Sequence, residues 1–205
     1  MMTTEEKIQQ AAISEFSKFG FAGARVDRIA KTAKINKAMI YYHYKNKEEL
    51  YESLLLIFAN GIYKFIQGLL PDGKLDIDKL YSIISMYIEF VSKLDTDLHR
   101  IILMEISSGG KYFRKIIFHK MIQPLLTLVS ENIKSEIEKK SIRPINPYLT
   151  FFQIVGSIVF SNIMRIALKG TDIYNTIFNE NFTKEYSENL IGILRHGIEL
   201  KEQQL

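Results

Sequence analysis

RVDRIAKTAKINKAMIYYHYKNK, residues 25–47, is the stretch that decides the fold. It holds seven Lys or Arg residues against one acid, a net charge of +6, whereas the whole chain carries +4. Tyrosines are interleaved with these charges at positions 41, 42 and 44. A concentrated basic segment with aromatic residues favours a surface that faces phosphate groups. A charge run alone is more often a solvated helix face, so the apolar spacing has to decide.

The apolar residues of this stretch predict two short helices joined by a turn. Small and branched apolar residues share one stripe of the first helix: Val26, Ile29, Ala30 and Ala33. Asn36 then stands where a helix N-cap belongs, because its side-chain oxygen accepts a backbone N–H. Ile40 and Tyr44 form an i,i+4 pair that turns inward. The outward residues are small, basic or aromatic: Lys37, Ala38, Met39, Tyr41, Tyr42 and His43. This pattern is typical of a helix-turn-helix, whose second helix enters the DNA major groove.

Residues 7–50 resemble the DNA-binding region of the TetR family of transcriptional regulators (AcrR-like). The resemblance rests above all on IYYHYKNKEEL at residues 40–50. It is carried further upstream by Ile8, Ala11, Ala12, Phe16, Gly20-Phe21 and Ile29-Ala30. It covers about the first quarter of the chain, and the remainder matches the family only in length and helical character.

This resemblance implies an all-α fold of about nine helices in two domains. Residues 1–47 would form a three-helix DNA-binding domain with the helix-turn-helix. Residues 48–205 would form a helical ligand-binding and dimerisation domain. The implied function is a ligand-responsive homodimeric repressor that binds a palindromic operator and is released by a small-molecule effector. The alternatives are an activator, or a helical interaction protein whose helix-turn-helix no longer binds DNA.

The expected DNA contacts divide into two groups. Lys37, Ala38 and Met39 would face base edges, since a lysine donates to guanine and apolar groups pack on the thymine methyl. Phosphate contacts are expected from the remaining outward residues and their neighbours: Arg25, Asn36, Tyr41, Tyr42, His43 and Lys47. His43 could instead be a neutral histidine at the edge of the core.

Two positions depart from the family pattern. Arg25 stands near the start of the second helix, where the family usually has a Ser or Thr that caps the helix. Lys34 stands in the turn, where the family usually has Gly. If that position needs a positive φ, a residue other than glycine costs roughly 1 kcal/mol or a little more.

Further helices are predicted from apolar periodicity and from breaks in the chain. The first is expected over 4–19, with Thr3 or Thr4 as cap, Glu6 placed for a capping box and Gly20 at its end. The fourth, over 47–69, should end at Pro71-Asp72-Gly73, and the resemblance gives it the role of transmitting ligand binding to the DNA-binding heads. Pro124 predicts a kink or a second helix inside 111–140. The other predicted elements are helices over 76–93, 96–107, 147–168 and 183–200, the last capped by Thr183, and a loop over 171–181.

The last two helices, about 147–168 and 183–200, are the expected dimer interface. They carry small residues at helical spacing (Gly156, Ser157, Gly192 and Gly197). Glycine inside a helix costs roughly 1 kcal/mol, so close approach of another backbone is a reason to keep it. A two-fold four-helix bundle would use these residues. An intramolecular crossing would use them too, and the residues alone leave that choice open.

Composition excludes several other functions. The chain has no cysteine, so it has no disulfide, thiol nucleophile or thiolate metal site. It has neither a phosphate-binding loop nor a nucleophile motif, so we expect no enzyme and no cofactor. Its first residues, MMTTEEK, indicate no secretory signal, and a cytoplasmic location is expected. Residues 147–164 lack charge, but polar residues and Arg165 favour a helix between subunits over a membrane span.

An effector pocket leaves a weaker signal in the sequence. Met and aromatic side chains suit a small apolar or aromatic effector, although each such residue is more often ordinary core. The candidate lining residues are Met86, Tyr87, Phe90, Met104, His119, Phe151 and Asn162.

Overall fold

The structure, a computed structural model, describes residues 2–70 and 72–198. Within these ranges it contains ten α-helices, one π-helical segment and no β-strand, which confirms the predicted fold class. The helices are α1 Thr4–Gly23, α2 Val26–Ala33, α3 Lys37–His43, α4 Lys47–Leu69, α5 Ile77–Lys93, α6 Thr96–Ser107, the π-helical segment Phe113–Ile122, α7 Gln123–Glu138, α8 Pro147–Ala167, α9 Tyr174–Ile177 and α10 Phe182–Ile198.

Packing divides the chain into two compact units. The first comprises Met1–Lys64 and Asp95–Gln123, and the second comprises Phe65–Leu94 and Pro124–Leu205. The first unit therefore holds α1, α2, α3, α6 and the π-helical segment in addition to most of α4. The functional division at residues 47 and 48 remains a prediction, since packing groups the helices differently.

The N-terminal helix α1 begins as the sequence predicts. The Thr3 hydroxyl accepts from the Glu6 amide at 3.1 Å, and the Glu6 carboxylate accepts from the Thr3 amide at 2.8 Å, which completes a capping box. Gly20 has φ +62° and ψ −179°, a backbone conformation almost confined to glycine, and it breaks the regular helix. Helical residues resume as far as Gly23, so the helix extends beyond the predicted end.

A single apolar core holds the first unit together. Ile8, Phe16 and Leu50 are fully buried in it. Phe16 packs edge-on against Tyr51 with ring centroids 4.8 Å apart, and Tyr51 packs against Tyr112 at 5.3 Å. Such aromatic pairs stabilise by about 0.5–1.5 kcal/mol beyond the burial of their area. The helical spacing from Phe16 predicts that Phe19 also faces inward, but Phe19 is 48 % exposed and lies under the Arg28 guanidinium.

Pro124 is the second residue of α7, which confirms the second predicted outcome, a separate helix with the proline near its start. Residues 113–122 are π-helical, and α7 begins at Gln123, directly before the proline. The Gln123 amide donates to Phe118 O, five residues back. Proline has no N–H and its ring crowds the preceding turn, and the wider π turn relieves that conflict. The helical segment therefore continues past the proline with an altered register.

The core of the second unit is built from α5, α8 and α10. Ile84, Ile88 and Ile158 are its most deeply buried members. Asn146 caps α8 as predicted, because its Oδ1 accepts from the Tyr148 and Leu149 amides at 3.0 and 3.2 Å. On α5 the buried stripe includes Tyr81 and Ile88, whereas the predicted Ile83 and Tyr87 are only half-buried.

The last part of the chain departs from the prediction in three respects. The short helix α9 lies inside the predicted loop 171–181. Helix α10 begins at Phe182, so Thr183 lies within the helix and does not cap it. The helical spacing from Leu190 predicts that Ile193 faces inward, but its side chain is 65 % exposed. Pro71 and residues 199–200, which also belonged to predicted elements, lie outside the described residues.

Helix α8 has an exposed apolar face. Its exposed large side chains are Tyr148, Leu149, Phe152 and Phe160. By length and composition, α8 is the one described helix apolar enough to cross a membrane, and 28 % of its most apolar window is buried within the chain. The remaining apolar surface of α8 would be covered by either a membrane or another protein surface.

Candidate nucleic-acid interface

The turn between α2 and α3 has the geometry of a helix-turn-helix in spite of its unusual residue. Lys34 adopts φ +56° and ψ +44°, the left-handed conformation that glycine accepts without strain. Its amide and that of Ile35 donate back to the last turn of α2, at Lys31 O and Ala30 O. The position does need a positive φ, so Lys34 carries the conformational strain that a glycine would avoid.

Helix α3 presents the predicted residues outward. The Asn36 side chain caps the helix, since its Oδ1 accepts from the Ala38 amide at 3.0 Å. Ile40 and Tyr44 are buried, which confirms the inward pair. Five of the six predicted outward residues on α3 are exposed, with Tyr42 at 82 %, Tyr41 at 47 % and Met39 at 38 %, and the sixth, His43, is half-buried. The chemistry of this face, lysine beside slim apolar and phenolic side chains, suits a DNA groove.

Glu15 fixes the start of α2, and the sequence analysis did not identify it. Its buried carboxylate accepts from the Arg25 amide at 2.9 Å and from the Arg28 guanidinium at 2.6 Å. Arg28 also donates to Gly23 O at 2.8 Å. The Arg25 side chain does not cap α2, as predicted. The Glu15 carboxylate accepts a hydrogen bond from the Arg25 backbone amide instead. Glu15 falls three residues after Ala12 on the buried stripe of α1, and an acid at a buried position could have indicated that it pairs with a donor from another helix.

Lys37 is held by an acid on the neighbouring helix. Its Nζ lies 2.7 Å from Asp27 Oδ1, and both side chains are exposed. The hydrogen bond that Lys37 donates to the Asp27 carboxylate raises the pKa of Lys37, so the ammonium stays charged. Exposed ion pairs of this kind contribute little stability, so Lys37 can exchange the carboxylate for a base edge at small cost.

Lys47 has an internal role that the sequence did not predict. Its Nζ donates to Phe21 O at 2.8 Å and to Ala24 O at 3.1 Å, and it lies 4.6 Å from the Phe21 ring centroid. A lysine at the C-terminal end of a helix satisfies carbonyl groups that have no helical donor. Two of its three N–H donors are used in this way, and one remains for a phosphate.

His43 is half-buried between two tyrosines. Its ring centroid lies 5.4 Å from that of Tyr42 and 6.4 Å from that of Tyr44. This position is compatible with both of the predicted roles, a phosphate contact and a histidine at the edge of the core. Three further lysines, which the prediction did not assign to DNA, are exposed on the same segment: Lys31, Lys34 and Lys45.

A polar network in the first unit fixes the start of α4. Glu48 accepts from the Tyr112 hydroxyl at 2.9 Å and from Lys111 Nζ at 3.1 Å, and these bonds lower the pKa of Glu48. The buried Glu105 accepts from the Tyr112 amide at 2.7 Å and from the Tyr51 hydroxyl at 3.2 Å. Burial, with the adjacent Glu105 charge, raises the pKa of Tyr51. These bonds tie α4 to the chain after α6 and so position α3 indirectly.

The described residues provide no evident metal site, since they contain no group of three or more His, Asp or Glu that could hold an ion. Among the predicted effector-lining residues, Met86 and His119 are exposed, and Met104 belongs with His119 to the first unit. Phe151 and Asn162 are buried in the second unit, with Tyr87 and Phe90 half-buried there.

Comparison with known proteins identifies the same segment. A family model described as "Bacterial regulatory proteins, tetR family" matches residues 8–54. Over 132 residues the chain is 35 % identical to the biofilm operon icaADBC HTH-type negative transcriptional regulator IcaR of Staphylococcus epidermidis, a match that covers 63 % of this chain and 68 % of IcaR.

Two further similarities differ in extent. The chain is 52 % identical over 52 residues to the HTH-type transcriptional repressor SCO4008 of Streptomyces coelicolor, which covers 25 % of this chain and 27 % of that protein. The solved structure of AibR in complex with isovaleryl coenzyme A and operator DNA matches with a TM-score of 0.64, at 19 % identity, over 93 % of this chain and 97 % of that one. At this identity the structural match establishes the fold.

Proposed function

Because this chain belongs to the TetR family of bacterial regulatory proteins, we propose that it is a ligand-responsive repressor that binds a palindromic operator as a homodimer. It is a DNA-binding transcriptional regulator and not an enzyme. The observation that carries the proposal is the exposed outer face of α3 behind an N-cap at Asn36. Repression rather than activation is supported by IcaR and SCO4008, which are named as a negative regulator and a repressor. The protein would act in the cytoplasm, on the chromosome.

Sequence-specific contacts are assigned to the first turn of α3. Lys37 would release Asp27 and donate to guanine, while Ala38 and Met39 would pack against a thymine methyl. All three residues are exposed. Two such helices, one from each subunit, would read half-sites about 34–36 Å apart.

Phosphate contacts are assigned to residues around this helix. Tyr41 and Tyr42 are exposed with free hydroxyl groups for a phosphate oxygen, and Asn36 and Arg25 flank the helix start. His43 and the third donor of Lys47 would complete the set. These contacts carry no sequence information, but they fix register and make affinity depend on salt.

Helices α8 and α10 are assigned to the dimer. A Cβ atom added at Gly156, Gly192 or Gly197 would meet no described atom within 4 Å, so these glycines serve no close crossing within the subunit. A shallow groove of 590 Å³ follows α10 beside Gly192 and Ile193. Together with the exposed apolar face of α8, this favours the intermolecular four-helix bundle over an internal crossing and over a membrane.

The effector is assigned to the second unit and is a small molecule with an apolar or aromatic body. AibR, which shares the fold, has been solved in complex with isovaleryl coenzyme A and operator DNA. By analogy, effector binding would pass along α4 and release the operator. Phe90, stacked on Phe65 with centroids 4.2 Å apart, offers an aromatic platform in this unit.

The decisive experiment is selection of bound fragments from a random duplex DNA pool at moderate salt, followed by sequencing. We expect a palindromic motif, and we expect Lys37→Ala to change the preferred bases at one position of each half-site. Lys120→Ala, an exposed lysine far along the sequence, is the matched control and should select the wild-type motif. No enrichment by intact dimer, also after denaturation and refolding to remove ligand, would favour a helical interaction protein with a non-functional helix-turn-helix.

A further inference from the structure

Two buried polar atoms on one turn of α8 have no hydrogen-bond partner among the described residues. They are Oδ1 of Asn162 and Nε of Arg165. Asn162 is only 2 % exposed. Buried polar atoms in folded proteins are almost always paired, so each exception requires a specific explanation.

Both atoms face the interior of the second unit. Ile154, Ile158, Asn162 and Arg165 follow at steps of four, four and three, which places them on one stripe of the helix. Ile158 is packed in the same apolar cluster as α5 residues 84 and 88. The Arg165 guanidinium donates from Nη2 to Ser92 O, near the end of α5, at 2.8 Å. The stripe therefore faces α5. Asn162 lies on it between Ile158 and Arg165, which both contact α5.

The two unpartnered atoms, Asn162 Oδ1 and Arg165 Nε, require opposite kinds of hydrogen-bond partner. Asn162 Nδ2 donates to Ile158 O at 3.1 Å, so a reversed amide would set oxygen against oxygen. The unpartnered atom of Asn162 is thus an acceptor, and it requires a donor. Arg165 forms no ion pair with any described residue, so its unpartnered Nε requires an acceptor, and an anion suits its charge best.

Packing alone does not explain a polar residue at position 162. Leucine branches at the same atom as asparagine, although it is larger, and it would leave no buried oxygen unpaired. On α5, Tyr87 and Phe90 pack against the apolar cluster that contains Ile158, and Phe90 stacks on Phe65. Burial raises the pKa of Tyr87 to about 12, so its phenol stays neutral. A polar pair with an aromatic neighbourhood has the composition of a small-molecule site.

We propose that Asn162 and Arg165 bind the polar end of the effector, and that the effector is a carboxylate carrying a hydroxyl or N–H donor on an aromatic or aliphatic body. The carboxylate accepts from Arg165 Nε, and the donor satisfies Asn162 Oδ1. This inference rests on the proposed function, because it assigns the chemistry of the effector site in the second unit. A bound water would satisfy the amide oxygen and leave the guanidinium without an anion.

The probes are 3-hydroxybenzoate and 3-hydroxydecanoate. Benzoate and decanoate lack the donor, and 3-hydroxybenzyl alcohol lacks the charge. Calorimetry on the full-length protein should show binding of at least one hydroxy acid, with affinity reduced about tenfold or more when either group is absent. The bound hydroxy acid should also release the selected operator in an anisotropy assay.

Two variants assign this binding to the residues. Asn162→Leu should weaken hydroxy-acid binding about tenfold, because it removes the oxygen that accepts from the ligand's donor. Arg165→Gln should weaken binding of the hydroxy acid more than that of the neutral alcohol. Thr150→Val is the matched control, since Thr150 is also buried on α8, and it should leave affinity unchanged.

The outcomes separate this inference from the proposed function. It is overturned if neither hydroxy acid binds, or if both variants bind as the wild type does. Operator binding measured without probe tests the proposed function independently. Operator binding without a response to hydroxy acids would reject the effector assignment alone.

Discussion

The outer face of α3 and the outer face of α8 both expose large side chains, but their surroundings differ completely. On α3, Tyr42 is 82 % exposed and stands in a segment with a net charge of +6. On α8, Leu149 is 61 % exposed and stands in an 18-residue stretch, 147–164, without a charge. Exposure alone therefore identifies no partner. The charge around an exposed aromatic or aliphatic residue separates a surface for a polyanion from one for another apolar surface.

The two faces should respond in opposite ways to salt. Binding that releases counterions from DNA weakens steeply as salt rises. Burial of apolar surface is not weakened by salt, and excluded salts strengthen it. A measurement of each process over one salt series is therefore the simplest way to separate them, and three substitutions sharpen the comparison.

The largest effect is expected from a charge on the apolar face. Phe152→Glu should abolish the dimer, because an unpaired carboxylate would have to be buried in the interface. Loss of paired half-site binding should then reduce operator affinity by about 10²–10⁴-fold. Sedimentation velocity measures the first effect and fluorescence anisotropy the second.

The matched control for this substitution is Ile106→Glu. Ile106 is 51 % exposed, close to the 53 % of Phe152, but it lies on α6 in the first unit. It should leave the protein dimeric. A Phe152→Glu protein that still sediments as a dimer would refute the assignment of α8 to the interface.

An intermediate effect is expected from Lys47→Met, which tests whether this residue belongs with the DNA-facing surface or with the structural core. Loss of two charge-assisted bonds to Phe21 O and Ala24 O should reduce the free energy of unfolding by about 1–2 kcal/mol. Urea denaturation at an unchanged m-value measures this loss. Lys45→Met, at an exposed neighbouring lysine, should change stability by less than about 0.5 kcal/mol.

Salt dependence decides whether Lys47 also contacts DNA. If its third donor meets a phosphate, Lys47→Met should weaken binding to all sequences alike and flatten the logarithmic salt slope by about one unit. An unchanged affinity and slope together with reduced stability would assign Lys47 to the fold alone.

The smallest effect is expected in the turn. Lys34→Gly should stabilise the protein by about 0.5 kcal/mol, since relief of the left-handed strain slightly exceeds the entropy cost of glycine. Lys31→Gly removes the same charge from a helical position three residues earlier and should destabilise by about 1 kcal/mol. Urea midpoints of the two variants should therefore move in opposite directions, and movement in the same direction would contradict the strain at Lys34.

The sequence predicts α2, the turn and α3 well because these elements are specified locally. Asn36 acts on an amide two residues away, and Ile40 and Tyr44 lie one turn apart. The contacts of Glu15 and Lys47 could not be predicted in the same way. Glu15 acts on Arg28, 13 residues later, and Lys47 caps a helix end 23 to 26 residues earlier. Such bonds depend on how the helices pack, which periodicity does not specify.

For the dimer surface and the effector residues, the sequence likewise supplied candidates that only the structure could narrow. Glycines 156, 192 and 197 were visible in the sequence, but only the structure shows that no described residue packs closely against them. Asn162 was one of seven candidate lining residues, and only its unpartnered oxygen separates it from the rest. Both proposals therefore rest on packing, which composition does not specify.

The π-helical segment Phe113–Ile122 has a consequence for how this chain should be compared with its relatives. Hydrogen bonds to the fifth residue back accommodate extra chain in each turn, so the segment is equivalent to an insertion stored within a helix. A relative with an ordinary α-helix here would be shorter at this point, and its alignment should contain a gap before the position of Pro124. Shortening the segment by deletion would rotate every residue before it relative to α7.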